Sequence, residues 1–249
     1  MTDSTHFRFS NSVLIVPMAA VIIIWGVYWS EVAFGLNYNH FGVFPRSIDG
    51  LKGLFFSPFI HGSLTHLYNN TIPLAILLAA LFYFYKDIAF RVLIFGVLLS
   101  GVITWLIGRE SYHIGASGLI YVLASFIFFK GIFSKHYRLI ALSLIVVFIY
   151  GSLLWYIFTV KDGISWEGHL AGFITGFLFA VFIKAKVPKP KKYDWERDDY
   201  SEADDPFLKH FDEDGNFIEF PKEEPNAEQE GLKINYRYHF KSDDETGSE

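Results

Sequence analysis

Six apolar runs occupy most of residues 12–186 of this 249-residue chain, too much apolar surface for an aqueous core to hide. They lie at about 13–34, 59–85, 88–107, 117–129, 139–158 and 165–183. A helix crossing a bilayer needs roughly 20 predominantly apolar residues. Lipid offers no partner to backbone N–H and C=O groups, and only a helix satisfies them within one segment. The fold class this dictates is an all-α membrane protein, a bundle of six transmembrane helices. The fourth run is too short to pass from one interface to the other. It predicts a short helix beginning part-way into the bilayer, its first N–H groups held by protein or facing a wet cavity.

Composition agrees with a membrane body carrying a soluble appendage: 52% of residues are hydrophobic and 19% aromatic. Residues 1–192 carry 15 Lys and Arg against 7 Asp and Glu, whereas residues 193–249 carry 6 against 19. The domains expected are a short N-terminal segment at 1–11, the helical bundle at 12–186 and an acidic tail at 187–249. The first run lacks a cationic leader and a small-residue cleavage site, so it reads as a retained helix. The tail is too polar to bury a core and is expected to be mostly disordered. Its one ordered feature is an alternation around Leu232, Ile234, Tyr236, Tyr238 and Phe240 that, with 217–220, predicts a small sheet at 217–240. Its acidity argues against nucleic acid as a partner. Eleven Lys and Arg flank the ends on the N-terminal side against four on the other, which places both termini in the cytoplasm. Without cysteine there are neither disulfides nor thiolate metal sites.

Polar residues inside these runs are costly and mark function. In the second run His66 and Asn70 are four apart and share a helix face, and both can donate hydrogen bonds. His61 lies five residues before His66, nearer the surface. Ser117 opens the fourth run within Gly115-Ala116-Ser117-Gly118, where glycines permit tight turns and close backbone approach. Tyr121 follows one turn later. In the sixth run Gly168, Gly172 and Gly176 recur every four residues, a small-residue ridge that lets helices approach closely. His169 shares the face of Gly172 and Gly176, so a fourth helix drawn into that ridge meets His169 with Ser117. Ser and His are the nucleophile and base of serine hydrolysis. Glu167 is about 160° around the helix from His169, so a Ser–His dyad is favoured over a triad. His61 and His66 are five apart, with no carboxylate on their face, which argues against a metal site. His113, four residues before Ser117, reads as a polar loop residue, and Asp212 to Asn216 as a solvated turn.

Three blocks together resemble the rhomboid family of intramembrane serine proteases: His61-x4-His66-x3-Asn70, Gly115-x-Ser117-Gly118 with Tyr121, and His169-x2-Gly172-x3-Gly176. The resemblance spans roughly residues 12–186. It implies Ser117 as nucleophile, His169 as general base, and His66, Asn70 and the Ser117 N–H as the oxyanion hole. Tyr121 would support His169, and His61 would hold water and polar groups in the cavity. It also implies that loop 35–55 lies partly in the membrane beside the active site, although Lys52-Gly53 stands where many bacterial members carry Trp-Arg. Substrates would be transmembrane proteins with helix-weakening segments, cut without metal or organic cofactor. A compact six-span form suggests a bacterial inner membrane. The competing readings are an inactive rhomboid-like protein that binds transmembrane helices, and a transporter using His61 and His66.

Overall fold

The computed structural model describes residues 7, 9–154, 165–186, 193–212 and 214–219. Among these residues there are seven α-helices and no strand: α1 (Ser12–Phe34), α2 (Gly53–Phe56), α3 (Leu64–Phe84), α4 (Ala89–Ile107), α5 (Ser117–Phe133), α6 (Tyr137–Tyr150) and α7 (Trp166–Phe182). α1, α3 and α4 are each long and apolar enough to cross a membrane, while α5, α6 and α7 are shorter apolar helices.

Local chemistry sets the boundaries, which differ from the expected ones in instructive ways. α3 starts at Leu64, not near residue 59, because Ser57–Phe59 form a 3-10 turn and the Ser63 hydroxyl then caps the helix by accepting the His66 N–H at 3.1 Å. His61 therefore sits in the loop ahead of the helix. α5 runs on to Phe133, past the expected end at 129. Lys130 does not stop it, because its ammonium donates to the carbonyls of Ala180 (3.0 Å) and Ile183 (2.6 Å) at the end of α7. A lysine at a helix C-terminus satisfies orphan carbonyls and complements the dipole. α6 begins at Tyr137 behind a His136 cap; the expected end of the fifth run, at 158, lies outside the described residues. α7 begins after Ser165, whose hydroxyl accepts the Gly168 N–H at 3.2 Å.

α5 is the hub of the bundle. It packs on α3, α4, α6 and most closely on α7, while α1 packs on α3. Leu119, Ile120, Val122, Leu123, Phe126 and Ile127 on α5 are buried against Leu74, Leu77, Leu78 and Leu81 of α3. At about 1.5 Å per residue, its 17 residues fall short of a bilayer core of about 30 Å. The outer faces of α1, α4 and α6 are also apolar: Leu14, Ile22, Phe95 and Phe148 are all exposed. In water such surface invites association; against lipid it needs no partner.

Loop 35–59 is ordered into three 3-10 turns and α2. Val43 exchanges backbone hydrogen bonds with His113 (2.9 and 3.0 Å), and the Arg46 guanidinium donates to the Gly108 carbonyl at 2.7 Å. The loop is thereby tied to the end of α4 and to the segment leading into α5.

A second compact unit begins at Lys192. Its described part consists of 3-10 turns at Asp194–Glu196, Glu202–Asp204 and Leu208–His210 and one bridge between Phe211 and Phe217. Between the bridging residues Asp212 Oδ1 accepts the Asp214 and Asn216 N–H groups, with Gly215 at φ +81°, which makes 212–216 a turn. Residues 220–240, which hold most of the expected small sheet, lie outside the described residues.

Candidate active site

The loop leading into Ser117 and α3 meet at a glycine. Gly115 has φ +106°, and a Cβ there would lie 2.6 Å from His66 Cε1 and 2.7 Å from Nε2. Only a residue without a side chain adopts that backbone cheaply and lets the chain touch the imidazole. The Gly115 N–H is held by the Ser57 carbonyl at 2.8 Å. His61 packs edge-on against His66, with ring centroids 5.0 Å apart, and its Nε2 accepts a long 3.5 Å hydrogen bond from the Ala116 N–H. The loop is thus seated on His61 and His66 one residue before Ser117.

The other wall is α7. A Cβ at Gly172 would run into the Gly118 carbonyl oxygen and lie 2.8 Å from Tyr121 Cβ. One at Gly176 would run into the Val122 carbonyl oxygen and lie 2.8 Å from Ser125 Cβ. At Gly172 and Gly176 the missing side chains let the α5 backbone settle against α7. Gly168 is tight for another reason: a Cβ there would meet not α5 but the Ser165 hydroxyl oxygen, at 2.9 Å. The Ser125 hydroxyl adds a crosslink to the Phe173 carbonyl at 2.8 Å. Under this contact Tyr121 stacks on His169, with centroids 4.4 Å apart and planes 15° from parallel. Both rings are buried, so the imidazole is held flat against the phenol.

Ser117, His169, His66, Asn70 and Tyr121 all line one open cavity of about 720 Å³. Pro73 and Asn69 of α3 line it too, and Pro73 cannot donate to the Asn69 carbonyl one turn earlier. Ser117 is the first residue of α5, so its N–H is free of intrahelical duty. The Asn70 amide nitrogen is buried and has no hydrogen-bond partner among the described residues. A buried, unspent donor costs about 1–3 kcal/mol, and its persistence beside a helix N-terminus fits a site shaped for a guest oxygen. Among the described residues no group of three or more His, Cys, Asp or Glu is gathered as a metal would require.

Arg109, His113 and Ser165 also line this cavity, and their contacts with one another and with Glu167 were not legible in the sequence. His113, expected as a polar loop residue, lies in the loop before α5 but is buried: it is 5% exposed, its Nδ1 lies 2.6 Å from Ser165 Oγ and its Nε2 3.1 Å from the Arg109 carbonyl. Burial pushes its imidazole below its ordinary value near 6.5. Arg109 meets Glu167, whose Oε1 accepts the Arg109 N–H at 3.3 Å and lies 3.7 Å from Nε. Glu167 is thus turned to Arg109 across the helix from His169. One numerical signal was available: His113 and Ser165 each precede a proposed catalytic residue by four, and both pairs are 52 apart.

Residues 49–186 match the Rhomboid domain profile, more than half of the chain. The chain belongs to the rhomboid family. That family includes intramembrane serine proteases, and its domain here spans α2 to α7. Over 161 residues the chain is 35% identical to an uncharacterized protein of Mycobacterium bovis and, equally, to one of Mycobacterium tuberculosis. It is 37% identical over 164 residues to an uncharacterized protein of Mycobacterium leprae. Each alignment covers 60% of this chain and just under two thirds of the relative, 66%, 66% and 63% respectively. This rhomboid is a membrane protein, its apolar helices requiring a lipid environment.

Proposed function

We propose that this rhomboid is an active serine endopeptidase that cuts transmembrane segments inside the bilayer. The observation that carries the reading is the cavity onto which Ser117, His169, His66 and Asn70 all open. His169 takes the Ser117 proton as Oγ attacks the substrate carbonyl carbon. The new oxyanion accepts from Asn70 Nδ2, the His66 ring and the Ser117 N–H, donors already aimed before charge develops. Collapse breaks the C–N bond, His169 returns the proton to the leaving amine, and an acyl-enzyme remains on Ser117. Water, deprotonated by His169, then attacks the ester and frees the enzyme. Tyr121 keeps the imidazole from turning. With Glu167 committed to Arg109, the chemistry is that of a dyad.

The substrate must lose its helix locally to offer a carbonyl, so helix-weakening residues near the cut speed cleavage. The expected setting is a bacterial inner membrane with both termini in the cytoplasm. The test is a fluorophosphonate probe on the protein in proteoliposomes. Labelling that disappears in Ser117→Ala and in His169→Ala is expected. A folded wild-type protein that never labels overturns the reading and leaves a rhomboid-like protein that only binds transmembrane helices.

A further inference from the structure

The contacts of His113 define a directed chain of hydrogen bonds. The Arg109 carbonyl can only accept, so the His113 Nε2 at 3.1 Å must carry the proton. In the neutral ring Nδ1 is then an acceptor, and the Ser165 hydroxyl at 2.6 Å must donate to it. The Ser165 oxygen in turn accepts the Gly168 N–H at 3.2 Å, while the Ser165 carbonyl accepts the His169 N–H at 3.2 Å. The run from the Gly168 N–H through the Ser165 hydroxyl and His113 to the Arg109 carbonyl is therefore polarised in one sense, and it needs His113 neutral; His169 is joined to it only through the backbone of Ser165.

The same residue is tied on its other sides. Its backbone pairs with Val43 of loop 35–59, and Gly108 abuts its ring, where a Cβ would lie 2.8 Å from Nε2. Four residues later comes Ser117, and four residues beyond Ser165 comes His169. One buried imidazole thus joins the nucleophile loop to the first turn of the helix that carries the base.

We propose that His113 is a positioning residue for the Ser117–His169 pair, acting through the Ser165 cap to fix where α7 starts relative to α5. It touches neither reacting atom. The proposal rests on the protease reading, in which an error of about 1 Å between nucleophile and base is enough to cost about 100-fold in rate. The charged groups facing His113 are Arg109 on its own loop and Glu167 on α7, while α4 presents Thr104 and Gly108 and loop 35–59 presents Val43. Acid that protonates His113 puts a donor at Nδ1 against the Ser165 hydroxyl. The hydroxyl must then turn away and find another acceptor, and the chain loses its single sense.

The experiment measures fluorophosphonate labelling rate against pH, together with thermal stability, for the full chain in proteoliposomes. His113→Phe removes the acceptor while keeping a ring, and labelling should slow by about 10- to 100-fold. His113→Asn keeps an acceptor for Ser165 but does not titrate. It should recover most of the rate and flatten the acid side of the pH profile relative to wild type. Ser165→Ala breaks the bond from the other end, so combining it with His113→Phe should cost little beyond either alone. The proposal is overturned if His113→Phe labels at the wild-type rate, or if His113→Asn is as slow as His113→Phe with an unchanged profile. If His113→Phe fails to fold, His113→Asn and Ser165→Ala carry the same test. Wild-type protein that does not label at all sinks the protease reading itself, a result distinct from labelled wild type with indifferent variants.

Discussion

Asn70 shows how a single side chain is held ready. Its carboxamide nitrogen is buried beside the loop that leads into Ser117, with no partner among the described residues, a cost the fold carries without structural return. If that donor serves an oxyanion, Asn70→Ala should lower turnover by about 10- to 1,000-fold, in line with the loss of one such donor elsewhere. Because the amide lacks a partner, thermal stability should change little, and a large fall in melting temperature with unchanged turnover would place Asn70 in the scaffold instead. His113 makes a prediction about stability. Its folded-state value lies below the ordinary one, so on acidification the unfolded chain takes up the proton first. Stability from this group is fully present above about pH 6.5 and is lost as pH falls below it, down to the folded-state value. The drop in melting temperature between pH 8 and pH 5.5 should therefore be smaller in His113→Asn than in wild type. Equal drops would mean that this imidazole does not sense its burial.

Among the elements, the α5–α7 pair decides most. Gly172 and Gly118 sit at one contact but are unlike. A Cβ at Gly172 collides with the α5 backbone, whereas a Cβ at Gly118 meets the Gly168 carbonyl oxygen at a comfortable 3.6 Å. Gly172→Ala should lower both melting temperature and labelling rate, while Gly118→Ala should leave melting temperature near wild type. Similar behaviour of the two variants would show that the helices are not locked at this spacing. At the opposite end Lys130 binds the last carbonyls of α7. Replacing it with Met removes two hydrogen bonds from a charged donor, each worth about 1.5–3 kcal/mol at most. The melting temperature should fall with labelling at permissive temperature preserved, because the cavity is at the far end of both helices. No change in melting would mean that water serves those carbonyls equally well.

For the whole molecule, the boundary at Lys192 separates a helical membrane unit from one whose described part consists of short turns. Every residue of the proposed catalytic machinery lies in the first unit. Deleting residues 193–249 should therefore leave fluorophosphonate labelling within about 2-fold of the full chain, the result expected when two units act independently. A truncated protein that folds but does not label would make the second unit part of the machinery.

Much of this protein was legible before any coordinates. Period and length of the apolar runs dictate helices in lipid, because the backbone has no other way to satisfy itself there. The Gly168, Gly172, Gly176 ridge and the spacing of His66 to Asn70 place side chains on helix faces, since both are local periodicities. The boundaries of α3 and α5 were not legible, because a Ser63 cap and a lysine reaching carbonyls on another helix override the hydropathy of the runs. Nor was the network of Arg109, His113, Ser165 and Glu167: its partners are more than fifty residues apart, and no local pattern requires them to meet. Sequence alone determined which residues the membrane would tolerate only for a purpose. Tertiary structure decided which of them touch, because contact between distant segments depends on how closely two backbones can approach, and glycines there, with no side chain to intervene, set that distance.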